Sequence, residues 1–162
     1  MDFANTSGAI FNSTFEERYV LWRKWDNKKP KVLFIGLNPS QADANHDDPT
    51  TKRIIAHSKR LGFGGCFLMN CFTQIATNPK ELGPSGNWQN NLRWLNVVAT
   101  YCSEVVFAWG KHELVNKLGR DIYFENRFPD ANCLGKNMDG SPKHPLYLPY
   151  SSKLLQFRRV KA

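Results

Sequence analysis

The sequence predicts an α/β fold, a three-layer α/β/α sandwich around a central, mostly parallel four-stranded sheet. Three short apolar runs at residues 32–36, 66–70 and 104–110 show almost no alternation of apolar and polar residues. Such runs are typical of strands that are buried on both faces of a parallel sheet. Segments with helix signals separate the runs, so strands and helices alternate along the chain. A weaker candidate for the fourth strand lies at residues 131–137.

Helix signals are clearest in the segment that follows the first apolar run. Asp48 suits the N-cap, Pro49 the first helical position and Gly62 the C-cap. A second helix is predicted over residues 87–102, and a third begins after WGKH and ends near Leu118. Helices in these places complete the predicted order β-α-β-α-β-α.

Length and composition indicate one globular domain. The chain has 162 residues, of which 41% are hydrophobic, and this is enough to bury one sizeable core. Residues 1–29 form an N-terminal lead-in segment, a strand or a lid, and residues 30–162 form a single α/β domain. No apolar stretch approaches the roughly 18 residues that span a bilayer, and the first residues lack a signal-peptide pattern. We therefore expect a cytoplasmic monomer that does not bind membranes.

The charge balance points to a polyanionic partner. Lys and Arg total 22 against 14 Asp and Glu, which gives a net charge of +8. Nucleic acid is the leading candidate for such a partner, although small basic proteins are often merely soluble.

The metal-ligand patterns in the sequence are weak. The four cysteines form no CxxC pair, so reduced thiols without a metal are expected. Asp43, Asp47 and Asp48 could hold Mg²⁺ through oxygen ligands, but the N-cap position already explains Asp48. His46 and His57 have no third ligand at a spacing that suits zinc. We expect no metal and no cofactor.

Polar side chains follow the predicted strands at their carboxyl ends, where open parallel sheets bind ligands. GLNPS (36–40) follows the first strand, Asn70 ends the second, and Trp109 with Gly110 ends the third. A late loop with His144 lies between prolines. Two amides and one histidine should therefore converge on one rim, while Trp109 and Gly110 are better explained by packing.

These motifs resemble the uracil-DNA glycosylase superfamily in the same order and at comparable spacing, over roughly residues 30–150. GLNPS resembles the first motif of the mismatch-specific thymine/uracil branch. FLMN, FAWG and HP resemble the strand-end Asn, a third-strand motif and the closing His-Pro-Ser loop of the main uracil-excising branch. The pattern also resembles a little-studied bacterial and phage family with GLNPS, Asp-Pro-Thr and HPLYL, described only as a domain of unknown function.

The resemblance implies a DNA glycosylase that hydrolyses the N-glycosidic bond of uracil or a modified pyrimidine in DNA. Asn38 matches the group that positions the hydrolytic water, Asn70 the amide that contacts the base edge, and His144 the group that hydrogen-bonds O2 of the leaving base. Asp43 is a secondary candidate as a general base or water-positioning partner. The other base-binding candidates are Gly36, Leu37, Pro39, Ser40 and Phe72, and the DNA-binding candidates are Lys52, Arg53, Lys143 and Tyr147.

The sequence departs from the superfamily pattern in two places. The stretch QADANHDDPTT lacks the aromatic residue that stacks on the flipped base, and Phe72 or Phe63 could substitute. The closing loop has Leu146, Tyr147 and Leu148 where the family has Ser-Pro and an intercalating apolar residue. A modified pyrimidine is therefore as plausible a substrate as uracil. Two alternatives stay open: a small-molecule nucleoside or nucleotide hydrolase or transferase, and a non-catalytic nucleic-acid-binding domain.

Overall fold

The computed structural model describes residues 3–158, which form one mixed sheet of seven strands in the order β1-β2-β4-β3-β5-β6-β7. The four neighbouring strands β4, β3, β5 and β6 are parallel to one another, and β1, β2 and β7 add antiparallel pairs at the two sides. The strands are β1 (Ser7–Phe11), β2 (Arg18–Lys24), β3 (Lys31–Gly36), β4 (Gly65–Asn70), β5 (Glu104–Phe107), β6 (Asn132–Cys133) and β7 (Leu155–Gln156).

The fold is α/β as predicted, but the sheet is mixed and wider than the expected four strands. Residues 7–24, within the predicted lead-in segment, form the hairpin β1–β2, and β2 pairs antiparallel with β4. This pairing satisfies the backbone groups of a strand edge that the parallel strands alone would leave open. The weakly predicted strand at 131–137 is reduced to the two residues of β6.

The α-helices within residues 3–158 are α1 (Pro49–Arg60), α2 (Trp88–Ala99), α3 (Glu113–Lys117) and α4 (Arg120–Arg127). Asp48 caps α1, because its Oδ1 accepts a hydrogen bond from the Thr51 backbone N–H at 2.8 Å. The sequence did not predict α4, which begins after Gly119 in a left-handed conformation with φ of 68°. In the described part of the chain, no helix has the length and apolar character needed to cross a membrane.

Successive side chains of β3 point to opposite faces of the sheet, and each face has its own core cluster. Leu33 and Ile35 pack with Leu95 of α2 and with the helices that follow it, and we call this side the aromatic face. Val32 and Phe34 pack on the other side with α1, and we call it the α1 face. The aromatic face carries the rings of Phe107, Trp109, Phe124 and Phe157, and the α1 face carries Ile54, Leu68, Val106 and Ala108.

The thiols lie within this packing. Cys66, Cys71 and Cys133 are buried and unpaired, and burial raises the pKa of Cys66 to about 12. Burial also raises the pKa of Cys71 and Cys133. These side chains are therefore protonated at neutral pH and serve as small apolar groups in the core.

Candidate functional site

A cavity of about 420 Å³ opens at the carboxyl ends of the parallel strands, on the α1 face. Asn38, Asn70 and His144 all line it, although they come from three separate segments of the chain. This volume falls in the range of small-molecule sites, roughly 300–1,000 Å³. The structure thus brings the two predicted amides and the predicted histidine together around one space.

The segment after β3 continues to pair with the segment after β4, which fixes the direction of Asn38. The backbone N–H of Cys71 donates to the Gly36 carbonyl at 2.9 Å, and that of Ala76 donates to the Pro39 carbonyl at 3.0 Å. Asn38 Nδ2 donates to the carbonyls of Ala76 at 2.8 Å and Pro39 at 2.9 Å. Because the amide hydrogens are used by the backbone, Oδ1 is the side-chain atom of Asn38 that is left to accept from a water or a ligand.

Asn70 lies at the end of β4 and is 3% exposed. Its Nδ2 has no hydrogen-bond partner among residues 3–158, although it is buried and its residue lines the cavity. On α2, Asn91 fixes the Asn70 backbone by donating from Nδ2 to its carbonyl at 2.9 Å. Gly36 makes room for the side chain, because a Cβ at that position would lie 2.7 Å from Asn70 Oδ1. Asn70 therefore offers a donor that no other residue in the described part of the chain uses.

His144 begins the short 3-10 turn Pro145–Tyr147 that closes one side of the cavity. Its Nδ1 accepts from the Leu146 backbone N–H at 3.2 Å, so the neutral ring carries its proton on Nε2. Burial lowers the pKa of His144 and the charge of Asp48 opposes this shift, so the ring is neutral at pH 7. Gly110, with φ of 73°, packs beside it. His144 is therefore a neutral Nε2–H donor.

Arg18 and Asp48 also line the cavity, and neither is among the site residues that the sequence predicts. Arg18 is 2% exposed and its Nη1 donates to the Ala42 carbonyl at 2.9 Å. Burial lowers its pKa to about 10, and the charge of Asp48 opposes this shift. Both oxygens of Asp48 accept backbone hydrogen bonds, from Thr51 at 2.8 Å and Ala42 at 3.3 Å. In the sequence, Arg18 follows two glutamates and has the pattern of an exposed strand residue, so nothing signals its burial.

Several of the other predicted residues contribute to the wall. Gly36, Leu37 and Ser40 line the cavity, whereas the buried Pro39 lies behind it and pairs with Ala76. Tyr147 lines the opening and is 84% exposed. The tyrosine therefore places an aromatic ring beside the cavity, at the end of the turn Pro145–Tyr147.

The structure places Asp43 outside the cavity lining. Its carboxylate accepts hydrogen bonds from the backbone of Asn45 at 2.9 Å and His46 at 2.8 Å, and from the ring of His46 at 3.0 Å. These hydrogen bonds, with the Asn45 amide first, lower the pKa of Asp43. The carboxylate at the cavity is that of Asp48, not Asp43. Within residues 3–158, no three His, Cys, Asp or Glu side chains form a group that could hold a metal ion.

Phe72 does not line the cavity either. It is 3% exposed and packs in the core of the aromatic face, with the Arg120 guanidinium 5.6 Å from its ring centroid. The alternative, Phe63, is buried in the α1-face core and does not line the cavity. Of the three aromatic residues predicted for the base site or closing loop, Phe63, Phe72 and Tyr147, the structure places Tyr147 in the cavity lining.

The predicted DNA-binding cations have different environments. Arg53 contacts the residues that follow the turn Pro145–Tyr147. Its Nη1 donates to the Leu148 carbonyl at 3.0 Å, and its guanidinium lies 4.3 Å from the Tyr150 ring centroid. Lys52 is exposed in the first turn of α1, and Lys143 is exposed directly before His144. The two lysines are available to a polyanion, and Arg53 is already engaged.

Comparison with protein families gives a match over most of the chain. A family model described as "Protein of unknown function (DUF1643)" matches residues 18–146. No curated protein and no solved structure matches the chain. The matched range begins at Arg18 and ends at Leu146, both of which line the cavity. The chain therefore belongs to the DUF1643 family of proteins of unknown function.

Proposed function

We propose that this protein is a DNA glycosylase-like enzyme, which hydrolyses the N-glycosidic bond of uracil or a modified pyrimidine in DNA. The observation that carries the proposal is the convergence of Asn38, Asn70 and His144 on one cavity. Their free atoms supply an acceptor, a buried donor and a neutral imidazole donor. This set matches what a pyrimidine base and a hydrolytic water need.

Asn70 recognises the edge of the base. Its buried Nδ2 donates to a ring carbonyl, and its Oδ1 accepts from the neighbouring ring N–H. An unpartnered buried donor costs about 1–3 kcal/mol, which a ligand acceptor would recover. A site built this way rejects an analogue that lacks the matching acceptor.

Asn38 and His144 act on the reacting bond. Asn38 Oδ1 orients a water toward C1′ of the sugar, and its anchored amide group keeps that oxygen in place. As the bond from C1′ to the base nitrogen breaks, its electron pair leaves with the base. Nε2–H of His144 donates to the base oxygen on which negative charge develops. The water oxygen then bonds to C1′ and releases one proton to solvent, and the departed base takes up one proton from solvent.

The target base must leave the helix stack to enter a cavity of this kind. Lys52 and Lys143 are exposed close in sequence to lining residues and would contact phosphates. Tyr147 is exposed at the opening and would stack on the extruded base. These groups and the net charge of +8 favour DNA as the partner. We propose that the protein acts as a monomer in the cytoplasm.

The test is incubation of the protein with single-stranded and duplex oligonucleotides that carry uracil, mismatched thymine, or hydroxymethylated or glycosylated pyrimidines. We expect abasic sites from at least one substrate. Asn38→Ala should lose this activity, whereas Asn116→Ala, on an exposed position of α3, should keep it. Folded wild-type protein that yields no abasic site from any substrate would overturn the proposal.

A nucleoside or nucleotide hydrolase is the second candidate. The observation that favours it is the volume of about 420 Å³, which is large enough for a whole nucleoside. Two results together would support this candidate over the first. The protein would release the base from mononucleosides, and it would show no salt-dependent affinity for DNA.

A further inference from the structure

The guanidinium of Arg18 is the most deeply buried positive charge at the cavity. The residue is 2% exposed, and its buried Nε has no hydrogen-bond partner among the residues that the structure describes. Its Nη1 donates to the Ala42 carbonyl at 2.9 Å. A buried Arg normally has its fork of donors paired with acceptors. The Arg18 side chain therefore has donor capacity that the described residues leave unused.

No carboxylate among the described residues forms an ion pair with Arg18. Asp48 lies on the same cavity wall, but its two oxygens accept from the backbone of Thr51 and Ala42. Arg23, in the same strand, forms an ion pair with Asp47 at 2.9 Å. Arg18 thus differs from Arg23, which has a carboxylate partner. A buried cation without such a partner is costly unless a ligand provides the negative charge.

Arg18 also differs from His144 in its charge. Burial leaves the pKa of Arg18 at about 10, so the guanidinium is positive at pH 7. Burial lowers the pKa of His144, so the imidazole is neutral. The permanent positive charge at the cavity wall therefore comes from Arg18, and an oxygen with full or developing negative charge would gain most from it.

We propose that Arg18 binds a negatively charged oxygen of the ligand in the cavity. The oxygen belongs either to an ionised pyrimidine ring, as in a base that leaves as an anion, or to the phosphate of a nucleotide. The proposal rests on the proposed function in taking the ligand to be a pyrimidine. It adds that the site selects an anionic ligand over a neutral one. Asn70 and the neutral His144 cannot provide this selectivity, because neither side chain is charged.

The test is calorimetric titration of two pairs of ligands that differ in charge. Barbiturate, a pyrimidine that is anionic at neutral pH, is compared with uracil, which is neutral. Uridine 5′-monophosphate is compared with uridine. We expect the wild type to bind the anionic member of one pair at least about 10-fold more tightly than its neutral counterpart. Preference within the first pair assigns the ring oxygen, and preference within the second assigns the phosphate.

Three variants make the result specific to Arg18. Arg18→Gln should abolish the preference, and Arg18→Lys, which keeps the charge without the planar fork, should retain part of it. Arg93→Gln removes one positive charge from an exposed position on α2 and should leave the preference unchanged. Circular dichroism of each variant checks that it is folded.

The proposal is overturned if the wild type binds neither anion, binds anionic and neutral ligands equally, or keeps its preference in a folded Arg18→Gln variant. These readouts are binding constants and do not depend on turnover. Abasic sites formed without any anion preference would overturn the role of Arg18 and leave the glycosylase proposal standing. Anion preference without abasic sites would overturn the glycosylase proposal and leave the role of Arg18 standing.

Discussion

The two faces of the sheet differ in how completely side chains fill them. On the aromatic face, the rings of Phe107, Trp109 and Phe124 pack closely, with centroids 4.7 to 6.4 Å apart. On the α1 face, the smaller side chains of Ala42 and Ala108 belong to the core, and the cavity opens above it. The comparison indicates that packing on the aromatic face stabilises the fold, while the end of the α1 face is left open as a cavity.

The largest expected effect is loss of stability from a truncation on the aromatic face. Phe124→Ala removes a ring that is 1% exposed and makes edge-to-face contacts with Trp88 and Phe107. We expect the free energy of unfolding to fall by about 3–5 kcal/mol, measured by urea denaturation. Ile54→Val on the α1 face should cost about 0.5–1.5 kcal/mol. A cost below about 1 kcal/mol for Phe124→Ala would contradict the stabilising role of the aromatic face.

The next effect is a loss of activity from a small change beside the cavity. Gly36→Ala places a Cβ 2.7 Å from Asn70 Oδ1 and must displace that side chain. We expect base release to fall by about 100-fold, since misplacement of a contact by about 1 Å has this effect. Gly83→Ala is the control, because the nearest atom to its Cβ is 4.0 Å away. Equal activity of the two variants would show that the position of Asn70 does not matter.

A smaller effect should follow from the buried histidine of α1. Burial lowers the pKa of His57 below its ordinary value of 6.5, and the nearby Arg60 and Arg53 lower it further. The unfolded chain then binds more protons near that pH, so stability is full above about 6.5 and is lost as pH falls below it. His57→Gln should flatten this dependence of the unfolding free energy on pH. A wild type that becomes more stable on acidification from pH 7 would contradict the shift.

The smallest expected effect on stability is that of Asn70→Ala. This substitution removes a buried donor that has no partner, so the unfolding free energy should stay within about 1 kcal/mol of the wild type or rise slightly. Asn91→Ala is the matched comparison, because it removes a donor that bonds to the Asn70 carbonyl. It should cost about 1–3 kcal/mol by leaving that carbonyl unpaired. A large loss of stability in Asn70→Ala would mean that the amide supports the fold.

The predictable part of the fold is the part whose residues are buried on both faces. The runs that became β3, β4 and β5 lack alternation, and α1 has Asp48 and Pro49 at its start. The sequence leaves residues 1–29 open as a strand or a lid and does not predict the hairpin β1–β2, the short β7 or α4. Their positions depend on pairing with strand edges and on a left-handed glycine at 119. Such contacts are set by the tertiary structure and leave weak periodicity in the sequence.

The same limit applies to the site. Asn38, Asn70 and His144 could be found because each follows a strand or lies in a proline-bracketed loop. Arg18 could not, because a charged residue in a strand is usually exposed. Phe72 was misplaced for a related reason, since a residue just beyond a strand end can pack on either face. The sequence therefore locates the strand ends well and the direction of side chains beyond them poorly.

The most direct test of a ligand site at this cavity is the side-chain amide signal of Asn70 in a heteronuclear NMR titration with uracil. The account predicts that the Asn70 Nδ2 signals shift to saturation. Those of Asn91 Nδ2, already bonded to the Asn70 carbonyl, should move less. Asn70 signals that stay fixed while base is added in excess would contradict the central claim that a pyrimidine binds against this residue.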